Sequence, residues 1–342
     1  MLTFVDLFSG AGGLLRGFKN AGLKPVFSLE VWGPAIKTHK LNYPEIPLIE
    51  EDIRKVTNER VQKYAGRVDV VVGGPPCQGF STIGKRLVKD PRNELVFEFI
   101  RFVHLIQPKV FLMENVRGLL SSDEGRTKAA IEEEYRRLGY RTISKVLCAA
   151  DYGVPQVRNR IFFMGIHENL GIEPSFPVAT CTKDNRATVG DAINDLMGKE
   201  NAFPNHVPMK HNPIVEQRIA FIKEGEGVPK TGLPESVSHG SRSDYLTNKI
   251  KNFSHVYRRL SRFRPATTMV PGHNAFPLHP VANRSLTVRE AARIQTFPDD
   301  VIFCGSRQEQ CIQVGNAVPV LLASVLAAHI KDKILLSEVN HG

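Results

Sequence analysis

Short apolar runs alternate with amphipathic stretches through about the first 165 residues, and this alternation sets the expected fold. Candidate strands are Thr3–Leu7, Val26–Glu30, Val68–Gly73, Val110–Glu114, Arg141–Leu147 and Ile161–Gly165. Between them, Asn93–Ile106 carries Leu95, Phe99, Phe102, Val103 and Ile106 at helical spacing, and Asp90 and Pro91 suit a helix start. Strands alternating with helices predict an α/β fold with a doubly wound parallel sheet. From about residue 170 to 280 the periodicity fades, and Pro, Gly, His and Asn become frequent. Apolar residues persist there, which predicts a smaller, loop-rich second domain rather than disorder. Leu286–Phe297 turns helical again, and Val318–Ile330 reads as a mostly buried helix.

One strand end carries distinctive chemistry. The run Val68-Asp69-Val70-Val71-Val72 leads into Gly73-Gly74-Pro75-Pro76-Cys77-Gln78-Gly79-Phe80-Ser81. The prolines stop the strand and the glycines permit a tight turn. Cys77 is left just past the carboxyl end of a sheet strand, where open α/β sheets bind ligands. A cysteine there can act as a nucleophile. A buried free cysteine would look the same in isolation.

Other segments resolve that ambiguity. The amino terminus, Asp6-Leu7-Phe8-Ser9-Gly10-Ala11-Gly12-Gly13, is a strand entering a glycine turn. Glu114-Asn115-Val116 ends another buried strand. Farther on lie Gln156-Val157-Arg158-Asn159-Arg160, Arg284-Ser285-Leu286-Thr287-Val288-Arg289-Glu290 and Gly315-Asn316-Ala317-Val318-Pro319. Together with Pro76-Cys77-Gln78, these motifs in this order resemble the DNA cytosine-5 methyltransferases of bacterial restriction-modification type. The resemblance spans nearly the whole chain. It implies a Rossmann-like S-adenosylmethionine methyltransferase sheet with an irregular target-recognition domain. The expected division is a catalytic domain at 1–175, recognition at 176–283, a hinge at 284–303 and a returning catalytic segment at 304–342, with DNA in the cleft.

Bulk properties agree with such a protein. The formal net charge of +10, from 45 Lys plus Arg against 35 Asp plus Glu, suits a polyanionic partner. The five cysteines show neither a Cys-x-x-Cys pair nor zinc spacing, which favours a reducing compartment and predicts no metal. No leader-like segment opens the sequence, and no uninterrupted apolar run reaches about 18 residues, so a cytoplasmic protein is expected.

The glycine turn lacks the third glycine of a dinucleotide fingerprint, because Leu15 stands at that position. This argues against a nicotinamide enzyme. Glu30 lies 20 residues after Gly10, where a carboxylate can accept both ribose hydroxyls. By resemblance, S-adenosylmethionine meets Phe8, Ser9, Gly10, Gly12 and Gly13, with Glu30 on its ribose. Phe8 packs against adenine, while Asp52 and Ile53 line the adenine pocket. Pro75 and Leu95 lie beside the cofactor, and Asn316 and Val318 complete the pocket. The sequence departs from the family at Glu30-Val31-Trp32, where many relatives follow Glu with an aromatic and then Asp.

The chemistry implied by the resemblance needs a thiolate. Cytosine C5 becomes nucleophilic only after addition at C6, which is the role of Cys77. Glu114 assists at N3, its pKa raised by partial burial. Asn115 helps hold Glu114 and the base. Arg158 and Arg160 contact O2. The base that removes the C5 proton is not identified.

A flipped-out cytosine requires a grip on DNA. Ser81, Lys85 and Arg86 lie in a basic loop after Cys77 that is expected to close over the base. Arg258, Arg259, Arg262 and Arg264 fall in a basic run interleaved with Phe253, Tyr257 and Phe263, expected to contact phosphates and bases. The expected partner is double-stranded DNA. A cognate restriction endonuclease would act on the same site without stable binding, and the methyltransferase would be a monomer. Rival readings are an RNA cytosine methyltransferase and a DNA-binding regulator without catalysis. A comparison of DNA and RNA substrates separates the first, and a turnover assay the second.

Overall fold

The protein is described by a computed structural model covering residues 1–76, 94–229, 233–237, 257–270 and 276–341. It divides into two compact units. The first comprises Met1–Tyr152, Asn159–Thr180 and Ala317–Gly342; the second comprises Gly153–Arg158 and Cys181–Asn316. Residues 284–316, expected as a hinge and the start of the returning segment, thus pack within the second unit.

The first unit is built on a seven-stranded sheet. Its strands are β1 (Thr3–Leu7), β2 (Lys24–Leu29), β3 (Leu48–Ile49), β4 (Val70–Gly73), β5 (Val110–Val116), β6 (Tyr140–Cys148) and β8 (Asn159–His167). The order is β3-β2-β1-β4-β5-β8-β6. The first five are parallel, but β8 runs antiparallel to both β5 and β6. The sheet is therefore parallel-dominated, as expected, with β8 as its one reversed strand. Only about ten residues separate β6 from β8, too short a link for a parallel crossover, so the chain must reverse.

The continuous burial of the central strands follows from helices on the sheet faces. Phe99, Phe102, Val103 and Ile106 of the helix Glu94–Ile106 join the core with Val71, Phe111 and Met113. The last helix, Val320–His341, packs against α1 (Gly13–Asn20). Glycine makes this approach possible. A Cβ on Gly13 would stand 2.2 Å from the Val318 carbonyl oxygen, and one on Gly17 would stand 2.3 Å from Ala323 Cβ. The apolar segment within Arg307–Ile334 has the length and hydropathy of a membrane span, yet 67% of it is buried, as in a core helix.

The second unit has little regular structure among its described residues. β7 (Gln156–Val157) and β9 (Ala266–Thr267) form a two-stranded parallel sheet. Ile219, Ile222, Tyr257 and Leu278 make a small core. The Arg-x-Leu-Thr-x-Arg-Glu segment starts the helix Val288–Ile294 with a reciprocal cap between Thr287 and Glu290. Glu290 is buried and bonded by Arg284 at 2.8 Å.

Candidate active site

Sheet register gathers the motif residues at one edge. Leu7 pairs with Leu29 and with Gly73, and Gly73 pairs with Met113. The residues after these positions, Phe8 to Gly13, Glu30 and Gly74-Pro75, therefore leave the parallel strands on the same side, where Glu114 stands near the end of β5.

At the end of β1 the backbone turns sharply. Phe8 has φ +58, Gly10 +54 and Gly12 +81. The left-handed region costs glycine nothing but strains Phe8, a cost common at functional sites. The Gly10 amide donates to Glu30 Oε2 at 2.7 Å, and the Val31 and Trp32 amides donate to Oε1 at 2.8 Å. Glu30 is thus fixed at the mouth of the glycine turn. Beneath it, Ser9 donates to the buried Asp6 Oδ2 at 2.7 Å. Among the described residues, Asp6 Oδ1 accepts no hydrogen bond. Burial, opposed by the Ser9 hydrogen bond and reinforced by Glu30, pushes the Asp6 carboxyl up to about 7. Asp6 carried no role in the sequence reading, although it opens the quoted Asp-Leu-Phe-Ser-Gly motif.

The remaining expected cofactor residues divide. Phe8 and Leu95 are part-buried against the first unit's core, Ile53 is buried within it, and Pro75 and Val318 are buried. Asp52 caps the short helical turn Ile53–Lys55 and holds Arg54, whose hydrogen bond draws its carboxyl below the usual range. Asn316 is exposed and ends the second unit. Val31 is 60% exposed beside Glu30, and Trp32 caps α2 (Gly33–Asn42).

The Glu114 side chain sits on the same face of the sheet as Arg160. Val116 pairs with Arg160 across the antiparallel strands, so Glu114, two residues earlier, is its diagonal neighbour. Arg160 Nε lies 3.1 Å from Glu114 Oε1, with side chains 17% and 12% exposed. Asn115 is buried and donates to the Pro75 carbonyl at 3.2 Å. This bond ties the end of β5 to the turn after β4. Gly74 completes the joint, because a Cβ there would stand 3.1 Å from Glu114 Oε2. Cys77, Ser81, Lys85 and Arg86 lie outside the described residues.

Two arginines do something other than expected. Arg158 is 1% exposed, and its guanidinium donates to the carbonyls of Met269, Gly315 and Asn316. A guanidinium enclosed by main-chain carbonyls supports the Gly-Asn segment. Arg259 is 4% exposed and donates to the carbonyls of Ile219, Ile222, His279 and Ala282. It is an internal strut of the second unit, which corrects the expected DNA contact. Sequence alone could not show this, since a buried and a phosphate-binding arginine are the same letter. Arg258 and Arg264 are exposed, and Arg262 is part-buried against Glu224.

Residues 2–332 match the C-5 cytosine-specific DNA methylase family. The chain is 40% identical over 335 residues to the Type II methyltransferase M1.HphI of Haemophilus parahaemolyticus, covering 95% of this chain and 86% of the relative. It is 36% identical over 370 residues to M.DdeI of Desulfomicrobium norvegicum, covering 96% and 88%. A crystal structure from E. coli, described as a prophage-encoded DNA modification methyltransferase, is similar with a TM-score of 0.76 and 26% identity, covering 99% and 100%. Spodoptera frugiperda DNMT2 shares the fold at a TM-score of 0.62 and 19% identity, covering 98% and 100%. By sequence over nearly its whole length, this chain belongs to the C-5 cytosine-specific DNA methylase family.

Proposed function

We propose that this methylase modifies C5 of a flipped-out cytosine in double-stranded DNA through a covalent adduct of Cys77, as the modification enzyme of a restriction-modification system or as an orphan methylase. The observation that carries this reading is the Glu114–Arg160 pair. It stands at the sheet edge to which Gly74 and Pro75 bring the chain immediately before Cys77.

The first unit's turn fits S-adenosylmethionine. Glycine leaves the backbone open at Gly10, and the Glu30 carboxylate is fixed beside it. Phe8, Ser9, Gly10, Gly12, Gly13, Glu30, Ile53, Pro75, Leu95 and Val318 of the first unit would hold the cofactor. When bound, it supplies an electrophilic methyl group on a sulfonium and departs as S-adenosylhomocysteine.

The chain's own residues do the rest. The Cys77 thiolate adds to C6, and the electron pair of the C5–C6 bond becomes available at C5. Glu114 gives a proton or a strong hydrogen bond to N3, which accepts the displaced charge. Arg160 holds Glu114 in place and faces O2 of the ring. C5 forms its bond to the methyl carbon as the bond from that carbon to sulfur breaks, a base takes the C5 proton, the released electron pair re-forms the C5–C6 double bond and expels the Cys77 thiolate, and the N3 proton returns to Glu114. Asn115 keeps the Pro75 turn and the Glu114 strand in register. The second unit reads the target sequence, and Arg258 and Arg264 meet the DNA. The protein works in the cytoplasm as a monomer, and any cognate endonuclease shares its site without binding it.

The test is a genome-wide 5-methylcytosine map in a host lacking its own cytosine methyltransferases. The wild-type protein is expected to methylate one short recurring sequence fully, and Cys77→Ser none. Absence of methylation from well-folded, cofactor-binding protein would overturn the reading.

A further inference from the structure

In the second unit, a phenyl ring is held out into solvent by a backbone fixed on every side. Phe263 is 75% exposed. Leu260 O accepts from the Gly225 amide at 3.3 Å, and the Arg259 amide donates to Glu226 O at 2.9 Å. The Gly190 amide donates to Arg262 O at 3.0 Å, and the Val189 amide donates to Arg264 O at 3.0 Å. These donors open the helix Val189–Ile193, itself capped reciprocally by Thr188 and Asp191. Gly190 permits the close approach, since a Cβ there would stand 2.7 Å from Arg262 O. Beyond the loop, the Ala266 amide donates to Pro155 O at 2.9 Å, and β9 pairs with β7. Even the Phe263 amide has an acceptor, Ser261 Oγ at 3.3 Å.

The charges around the ring are sorted. Arg262 lies 5.4 Å from the ring centroid, but Glu224 holds its amide at 2.7 Å and its guanidinium at 3.1 Å. Its charge is compensated, and its side chain stiffens the ring from one side. Arg258 and Arg264 are exposed. A large ring anchored this firmly loses little freedom on docking, so contact with an apolar surface becomes favourable.

We propose that Phe263 is a nucleobase contact of the recognition unit, its ring lying on a base of the target duplex while Arg264 and Arg258 rest on neighbouring phosphates. The inference rests on the DNA-methylase reading above. The charge pattern selects the occupant: a polyanion satisfies the two exposed arginines, and among polyanions a nucleic acid also offers aromatic faces and methyl groups to the phenyl ring.

The experiment uses the full-length protein and a duplex containing the site found by the methylation map, with binding measured by fluorescence anisotropy across a salt series. Phe263→Ala is expected to weaken binding about ten-fold with an unchanged salt slope, as for loss of an uncharged base contact. Phe263→Trp restores affinity. Arg264→Ala lowers the slope by about one, as for loss of one phosphate contact. The melting temperature and the affinity for S-adenosylhomocysteine remain those of the wild type in all three variants. Wild-type affinity in Phe263→Ala overturns the inference, as does a loss accompanied by a fall in melting temperature. If the wild type methylates DNA and Phe263→Ala matches it, only this inference fails. If the wild type methylates no duplex, the DNA reading fails with it.

Discussion

Arg160 Nε lies 3.1 Å from Glu114 Oε1 across two antiparallel strands. The pair depends on the reversal of β8, because a parallel strand in that position would present its side chains in a different register. Both side chains are mostly buried, so their attraction is less screened than that of a surface pair.

Removing one member therefore affects both structure and chemistry. Glu114→Gln keeps the shape and loses the ionisable group; kcat is expected to fall by about 100-fold or more, the usual loss for a positioned acid–base group. Arg160→Lys is not a conservative change, because an ammonium lacks the planar fork of donors. It is expected to lower kcat with little change in cofactor affinity. Steady-state methylation kinetics alongside calorimetric binding of S-adenosylhomocysteine checks both.

Arg158 gives the opposite result. Its guanidinium donates to the main-chain carbonyls of Met269, Gly315 and Asn316 in the second unit. Arg158→Ala leaves several buried acceptors without donors, so a loss of about 3 kcal/mol or more of stability is expected. Urea denaturation measures it. Unchanged stability with lost turnover would return Arg158 to a catalytic role.

Gly13 allows the returning C-terminal segment to reach the glycine turn. Gly13→Ala places a methyl group where the Val318 carbonyl stands. Overpacking of this kind costs about 1–3 kcal/mol. Weaker S-adenosylhomocysteine binding is expected with the lower stability, because the turn must shift away from Val318. Thermal unfolding and calorimetry on the same variant measure the two effects.

Asp6 makes stability depend on pH. Its folded-state pKa is raised to about 7, chiefly by burial. The folded state therefore favours the protonated carboxyl. This contribution is full below the unfolded pKa of about 4 and is lost as pH rises through about 7. Asp6→Asn cannot ionise, so the wild type should lose stability relative to this variant between about pH 4 and about pH 7, by on the order of a few kcal/mol. Denaturation midpoints of both proteins across that range test the sign; equal slopes would show that Asp6 does not titrate there.

Much of the first unit was legible in the sequence. Thr3–Leu7 matches its strand at both ends, and the strands predicted at 110–114, 141–147 and 161–165 all form with slightly longer limits. Apolar periodicity reports which residues a strand buries, and that depends on local order. It does not report strand direction, so the antiparallel β8 was not seen. The two-residue β3 is too short to have a period.

The sequence by itself determined the family, the motif order and the residue types available for chemistry, because these are properties of identity and spacing. Only the tertiary structure decided which of two arginines in Gln156-Val157-Arg158-Asn159-Arg160 meets Glu114 and which is enclosed by carbonyls. The residues are two apart and follow the same alternation, yet Arg160 belongs to the sheet of the first unit and Arg158 to the second. The same holds for Arg258 and Arg259, adjacent cations of which one is exposed and the other is an internal strut. Charge is a local property of the chain; whether a charge reaches solvent depends on which distant segments fold around it.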